Sequence, residues 1–220
     1  MKKRILTIIT AFCIFAAGTV ALGGCSENQK DSNKIKIVTT VFSEYDWTLN
    51  VLGDKKDDAE VTLLLNSGSD LHSYQPTVED IAKIAICDLF IYVGGESDKW
   101  VDDALKNSLN KNMIVINLID VLGDKAKEEE IVEGMEGDHD HEEGEEHDHD
   151  HEEEKEVEYD EHVWLSLKNA QIFVTEIAEA LSNIDKENAS FYSENAEKYN
   201  AKLNELDTRY EKAVENADKK

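Results

Sequence analysis

The chain has 220 residues, with 49 Asp and Glu against 23 Lys and Arg, a formal charge of −26 with histidine neutral. No basic stripe could dominate such a field, which excludes nucleic-acid recognition built on phosphate neutralisation. Apolar residues make up 40% of the chain, enough to give one sizeable domain or two small ones a packed core.

The first segment reads as a processing signal. Lys2, Lys3 and Arg4 precede an uncharged run from Ile5 to Ala21, the order of n-region and h-region in a secretory signal. A plain membrane anchor is the rival reading, but seventeen residues sit at the short edge of what spans roughly 30 Å of hydrocarbon. The run ends in Leu22-Gly23-Gly24-Cys25, which resembles the lipobox of bacterial lipoproteins, whose Cys is diacylated and becomes the new N-terminus. Residues 1–24 are therefore expected to be a signal peptide, Cys25 the lipidation site and 25–33 a polar tether. That places the mature chain outside the cytoplasm, anchored to the bacterial cell membrane by lipid. With Cys13 in the signal and Cys25 on lipid, only Cys87 remains, so no internal disulfide is expected. Its apolar context, Ile84-Ala85-Ile86-Cys87, predicts a small buried hydrophobe.

Strand and helix signals then alternate. Ile35 to Thr40, Glu60 to Leu65, Leu89 to Val93 and Met113 to Leu118 are short apolar runs rich in β-branched or aromatic residues, hence strands. Between them, Ser43 to Leu52 carries helix-spaced Trp47 and Val51 and stops at Gly53. Thr77-Val78-Glu79-Asp80 is a capping-box-like start for a helix bearing Ile81, Ile84 and Ala85. Ser97 is expected to cap a helix holding Trp100, Val101, Ala104 and Leu105. This alternation predicts a parallel four-stranded sheet flanked by helices, in a lobe spanning 34–185. Two further helices follow, one over Lys168 to Asn183 and a long one over 186–220. The long one carries a single seam of Tyr199, Leu203, Leu206, Tyr210 and Val214, which suits either a coiled-coil arm or a connector to another domain.

The acid is concentrated. Glu128 to Glu161 holds twenty Asp and Glu against one Lys, or −19 of the total −26. Five of the seven histidines fall in the same stretch: His139, His141, His147, His149 and His151. Self-repulsion predicts a disordered insert at about 124–159 when metal-free, and imidazole alternating with carboxylate suits borderline ions such as Zn²⁺. The other two histidines, His72 after the second strand and His162 after the insert, can converge where loops leave the carboxyl ends of a parallel sheet.

Three segments carry a resemblance. Gly68-Ser69-Asp70-Leu71-His72-Ser73-Tyr74-Gln75-Pro76-Thr77, Phe90-Ile91-Tyr92-Val93-Gly94-Gly95-Glu96-Ser97 and Asp160-Glu161-His162-Val163-Trp164-Leu165-Ser166-Leu167-Lys168-Asn169 resemble the zinc-binding, solute-binding lipoproteins of ABC transporters, the ZnuA/TroA-like group. The resemblance implies two α/β lobes joined by one long rigid helix, with Zn²⁺ held between them and passed to an ABC permease and its ATPase. It makes His72 and His162 metal ligands, and the insert histidines a weaker store. Leu71 stands where many members have Pro, and Ser166-Leu167 where many have Asp-Pro. The second lobe, with the remaining ligands, is expected just beyond Lys220, so the chain reads as a receptor lacking its C-terminal lobe, which a separately encoded chain could supply. A manganese-binding member of the same group, or a surface zinc buffer or adhesin-like protein using only the insert, are the alternative readings. An enzyme is not expected, because no His-Glu-x-x-His helix or nucleophile with an adjacent base is present.

Overall fold

The computed structural model describes residues 34–66, 68, 70–127 and 159–215. The signal segment, Cys25, the tether and the five insert histidines lie outside the described residues. The described residues from Ile35 onward belong to one compact unit.

Four parallel strands, β1 (Ile35–Thr39), β2 (Ala59–Leu63), β3 (Leu89–Tyr92) and β4 (Ile114–Asn117), make one sheet in the order β2-β1-β3-β4. Ile35 is paired with Ala59, Ile37 with Leu89, and Leu89 with Ile114. Side chains alternate between the two faces of a strand, and both faces are apolar. Ile37, Leu89, Ile91 and Ile116 enter a large core beneath helices α1 (Phe42–Leu52), α4 (Leu118–Leu122), α5 (Leu167–Ile184) and α6 (Ala189–Glu215). Val38 and Phe90 enter a smaller core on the opposite face, beneath α2 (Val78–Ile86) and α3 (Trp100–Lys106). Near-continuous apolar strands are the consequence of covering both faces.

Helix starts are built from local side chains. Thr77 Oγ1 accepts from Asp80 N (3.2 Å) while Asp80 Oδ2 accepts from Thr77 N (2.9 Å), the reciprocal box that the spacing predicts. Ser166 Oγ accepts from Asn169 N at the head of α5 (3.3 Å). At the head of α1 the fully buried Glu44 accepts from the N–H groups of Thr40 (2.7 Å) and Val41 (3.1 Å). Cys87 is buried, as its context predicts, and burial pushes its thiol up to about 12.

One boundary differs from expectation. Leu118, expected to end β4, instead opens α4, because Asn117 Oδ1 accepts from Ile119 N (3.0 Å) and Asp120 N (3.2 Å) and turns the chain at once. Gly123–Lys125 is a 3₁₀ turn, and Asp160 N donates to Lys127 O (2.9 Å), a backbone hydrogen bond between residues on either side of the acidic stretch.

The long helix α6 runs over 27 described residues, about 40 Å at 1.5 Å per residue. Its first part is docked: Tyr192, Ala196 and Leu203 are buried, Asn195 Nδ2 donates to Val51 O (3.0 Å), and Tyr199 Oη donates to Asp46 Oδ2 (2.8 Å) on α1. The seam then continues into solvent, with Tyr210 62% and Val214 60% exposed.

Candidate metal centre

His72 sits in the 3₁₀ turn Leu71–Ser73 after β2, Ser97 in the turn Glu96–Asp98 after β3, and His162 immediately before the turn Val163–Leu165. The first two turns follow the carboxyl ends of β2 and β3, the strands on either side of β1, where parallel sheets bind ligands. The two imidazoles, 90 residues apart in sequence, lie with ring centroids 5.6 Å from each other. Both side chains are about half exposed, 54% for His72 and 49% for His162.

Each ring is held by its Nδ1. His162 Nδ1 is 3.0 Å from Asp160 Oδ1, which also accepts from His162 N (2.8 Å). That backbone hydrogen bond, with the imidazole, holds the Asp160 carboxyl below its usual range. His72 Nδ1 is 2.9 Å from Ser97 Oγ and 3.4 Å from Glu161 Oε2. With Nδ1 engaged, Nε2 is the nitrogen each ring can offer to a metal ion. Two imidazoles suit a borderline ion such as Zn²⁺. Among the described residues no group of three or more His, Cys, Asp or Glu is gathered closely enough to hold an ion, so the candidate donors here are the two imidazoles, against the four ligands zinc takes.

Behind the histidines lie three buried acids that sequence reading passed over: Glu44, Asp98 and Glu161. Charged residues ordinarily remain in water, and nothing local in the sequence marks these as exceptions. Ser97 also departs from expectation. It does not cap α3, whose start at Lys99 has no side-chain cap; its hydroxyl donates instead to Glu161 Oε2 (2.5 Å), and its N–H to Glu161 Oε1 (2.7 Å). The partner is 64 residues away, beyond the reach of any local pattern.

Asp98 is 3% exposed and accepts from Gly94 N (3.0 Å). Burial, with the nearby Glu161 charge, raises its carboxyl from 3.8 to about 6. A folded value above the unfolded one means that this contribution to stability is complete below about pH 4 and is lost as pH rises through about 6. Two units correspond to about 3 kcal/mol at most. Asp98→Asn is expected to remove that slope, read as a flatter stability profile between pH 4 and 7 in urea unfolding.

Comparison with known proteins places the whole fold rather than the individual side chains. The family model described as zinc-uptake complex component A, periplasmic (ZnuA) matches residues 37–220. Zinc-binding protein AdcA of Streptococcus pyogenes serotype M6 is 31% identical over 232 aligned positions, covering 100% of this chain and 41% of its own length. The high-affinity zinc uptake system protein ZnuA of Bacillus subtilis is 34% identical over 217, covering 98% of this chain and 62% of its own. Among solved structures, a manganese-bound periplasmic metal-binding protein from Candidatus Liberibacter asiaticus superposes with a TM-score of 0.59 at 29% identity, covering 80% of this chain and 57% of that one. The chain thus spans about two-fifths to three-fifths of the length of the relatives it matches. Because the family match runs over residues 37–220, well over half of the chain, the chain belongs to the ZnuA family of zinc-uptake complex components.

Proposed function

We propose that this chain captures Zn²⁺ outside the cytoplasm at His72 and His162 and delivers it to an ABC permease and its ATPase. The observation that carries the reading is the pair of imidazoles, brought to 5.6 Å from separate loops with each Nδ1 already engaged. Membership of the family and the names of the AdcA and ZnuA relatives support zinc as the cargo. Manganese is the alternative inside the family, since a structural relative holds it. The donor chemistry favours zinc, because Mn²⁺ suits carboxylate, carbonyl and water oxygens better than imidazole.

In the same reading Cys25 carries the lipid that keeps the protein at the membrane, and His139, His141, His147, His149 and His151 form a weaker store beside the crevice. The exposed end of α6 leads toward a second lobe that completes the coordination sphere, either in the same polypeptide or in a separate one. The protein does no covalent chemistry.

Calorimetric titration of the full chain with Zn²⁺ and with Mn²⁺ tests the proposal. The chain is expected to show a tighter zinc site at the pair plus weaker zinc sites in the insert, with manganese bound less well than zinc. His72→Ala with His162→Ala should abolish the tighter class and leave the weaker ones. Removing residues 134–154 should do the reverse. If that deletion eliminates essentially all zinc uptake, the protein is a buffer working through its insert and the receptor reading fails.

A further inference from the structure

Behind His72 a hydroxyl and a buried carboxylate converge on one ring nitrogen. Glu161 is 7% exposed and lies between two turns, accepting both the N–H and the hydroxyl proton of Ser97. A serine hydroxyl has one proton. Because Ser97 gives that proton to Glu161 Oε2, its oxygen faces His72 Nδ1, 2.9 Å away, as an acceptor only. The second group near Nδ1 is the carboxylate oxygen itself, at 3.4 Å, again an acceptor. Both neighbours of His72 Nδ1 therefore demand a proton from it.

A neutral imidazole carries a single N–H. We infer that Ser97 and Glu161 form a tautomer lock, which keeps the proton of His72 on Nδ1 and thereby leaves the Nε2 lone pair free for a metal ion before one arrives. They are positioning residues, acting on the metal only through the His72 ring. The inference rests on the reading of His72 as a ligand, and it adds a coupling. Glu161 precedes His162 directly in the chain, so one short segment supplies one ring of the pair and sets the proton of the other.

Replacing Glu161 by Gln separates this role from simple packing, because the two side chains have the same shape. Ser97 N–H requires an acceptor, which turns the amide oxygen toward it and puts the NH₂ where Oε2 was. That NH₂ donates either to Ser97 Oγ, releasing the serine proton toward Nδ1, or to Nδ1 directly. Either way Nδ1 now faces a donor, and the proton of His72 moves to Nε2. Ser97→Ala acts differently, since Glu161 remains as an acceptor and the Nδ1–H form persists.

The test is nitrogen NMR of the ¹⁵N-histidine-labelled full chain, metal-free and at a pH where imidazole is neutral, with the His72 signals identified by their loss in His72→Gln. The native chain and Ser97→Ala should show Nδ1–H at His72, and Glu161→Gln should show Nε2–H with zinc affinity lowered about 10- to 100-fold, as for other groups that orient a metal-bound histidine. An Nε2–H form in the native chain overturns the lock, as does an unchanged tautomer in a folded Glu161→Gln. Because the NMR readout needs no metal, the two readings fail separately. A native chain with Nδ1–H that takes up no zinc at the pair refutes the receptor reading alone, and one that binds zinc there with Nε2–H in its free form refutes the lock alone.

Discussion

Gly95→Ala is expected to destabilise the lobe by about 3 kcal/mol and to weaken zinc binding at the histidine pair at least as much as Glu161→Gln does. Gly95 has φ +82° and ψ −164°, a region essentially confined to glycine, where a side chain costs of order 1–3 kcal/mol. Space is a second obstacle. A Cβ built there would lie 2.7 Å from Glu161 Cγ and 2.9 Å from Cδ, closer than carbon atoms pack. The loop has to move, carrying Ser97 with it, or Glu161 has to leave its seat and give up both hydrogen bonds to Ser97. Either response unfastens His72. Gly68→Ala is the control, since Gly68 has nearly the same φ, +86°, but has nothing within 4 Å of its Cβ position. Urea unfolding of the two variants separates backbone strain from collision. If Gly95→Ala costs no more than Gly68→Ala, the packing of Glu161 against Gly95 is not what the loop depends on.

How much of this was legible depended on how local each determinant is. The four strands stand out as short runs rich in Ile, Val, Leu and Phe whose only charged residues are Lys36 and Glu60, and the Thr77–Asp80 box announces α2 within four residues. The short helix α4 was not legible. Five residues, Leu118–Leu122, are too few to display a 3.6-residue period, and its apolar start merged with the strand before it. The histidines were found because imidazole is scarce outside the insert, and the sheet then brought the two loops together. Glu161 was hidden among twenty acids, and nothing in its neighbours distinguishes a carboxylate buried on Ser97 from one facing water. Ser97 likewise has the local sequence context of a cap. A serine before an amphipathic run ordinarily satisfies the nearest orphan N–H, and here a partner 64 residues away takes the hydroxyl instead. Tertiary contacts override local preference beside His72, where the hydroxyl serves a distant carboxylate.

Phe173→Ala is expected to cost 3–5 kcal/mol, the range for deleting a buried aromatic whose surroundings relax only in part. Phe173 is fully buried near the middle of α5, with its ring centroid 5.5 Å from that of Trp47 on α1. It belongs to the core that includes Ile37, Leu89 and Ile91 from the sheet and Tyr192, Ala196 and Leu203 from α6. The cavity would therefore open where sheet, α1, α5 and α6 meet, and a shift of any one element to fill it strains the other three. Urea unfolding should show a lower midpoint with an unchanged slope, because the fold stays the same and only the packing is lost. Two substitutions on α6 then locate where that helix leaves the core. Leu203→Ala, at a buried position, is expected to cost about 2–3 kcal/mol. Val214→Ala, at a position 60% exposed on the same seam, should stay within about 0.5 kcal/mol. A large loss at Val214 would mean that the end of α6 is covered in this chain as it stands, and that its apolar seam does not wait for another lobe.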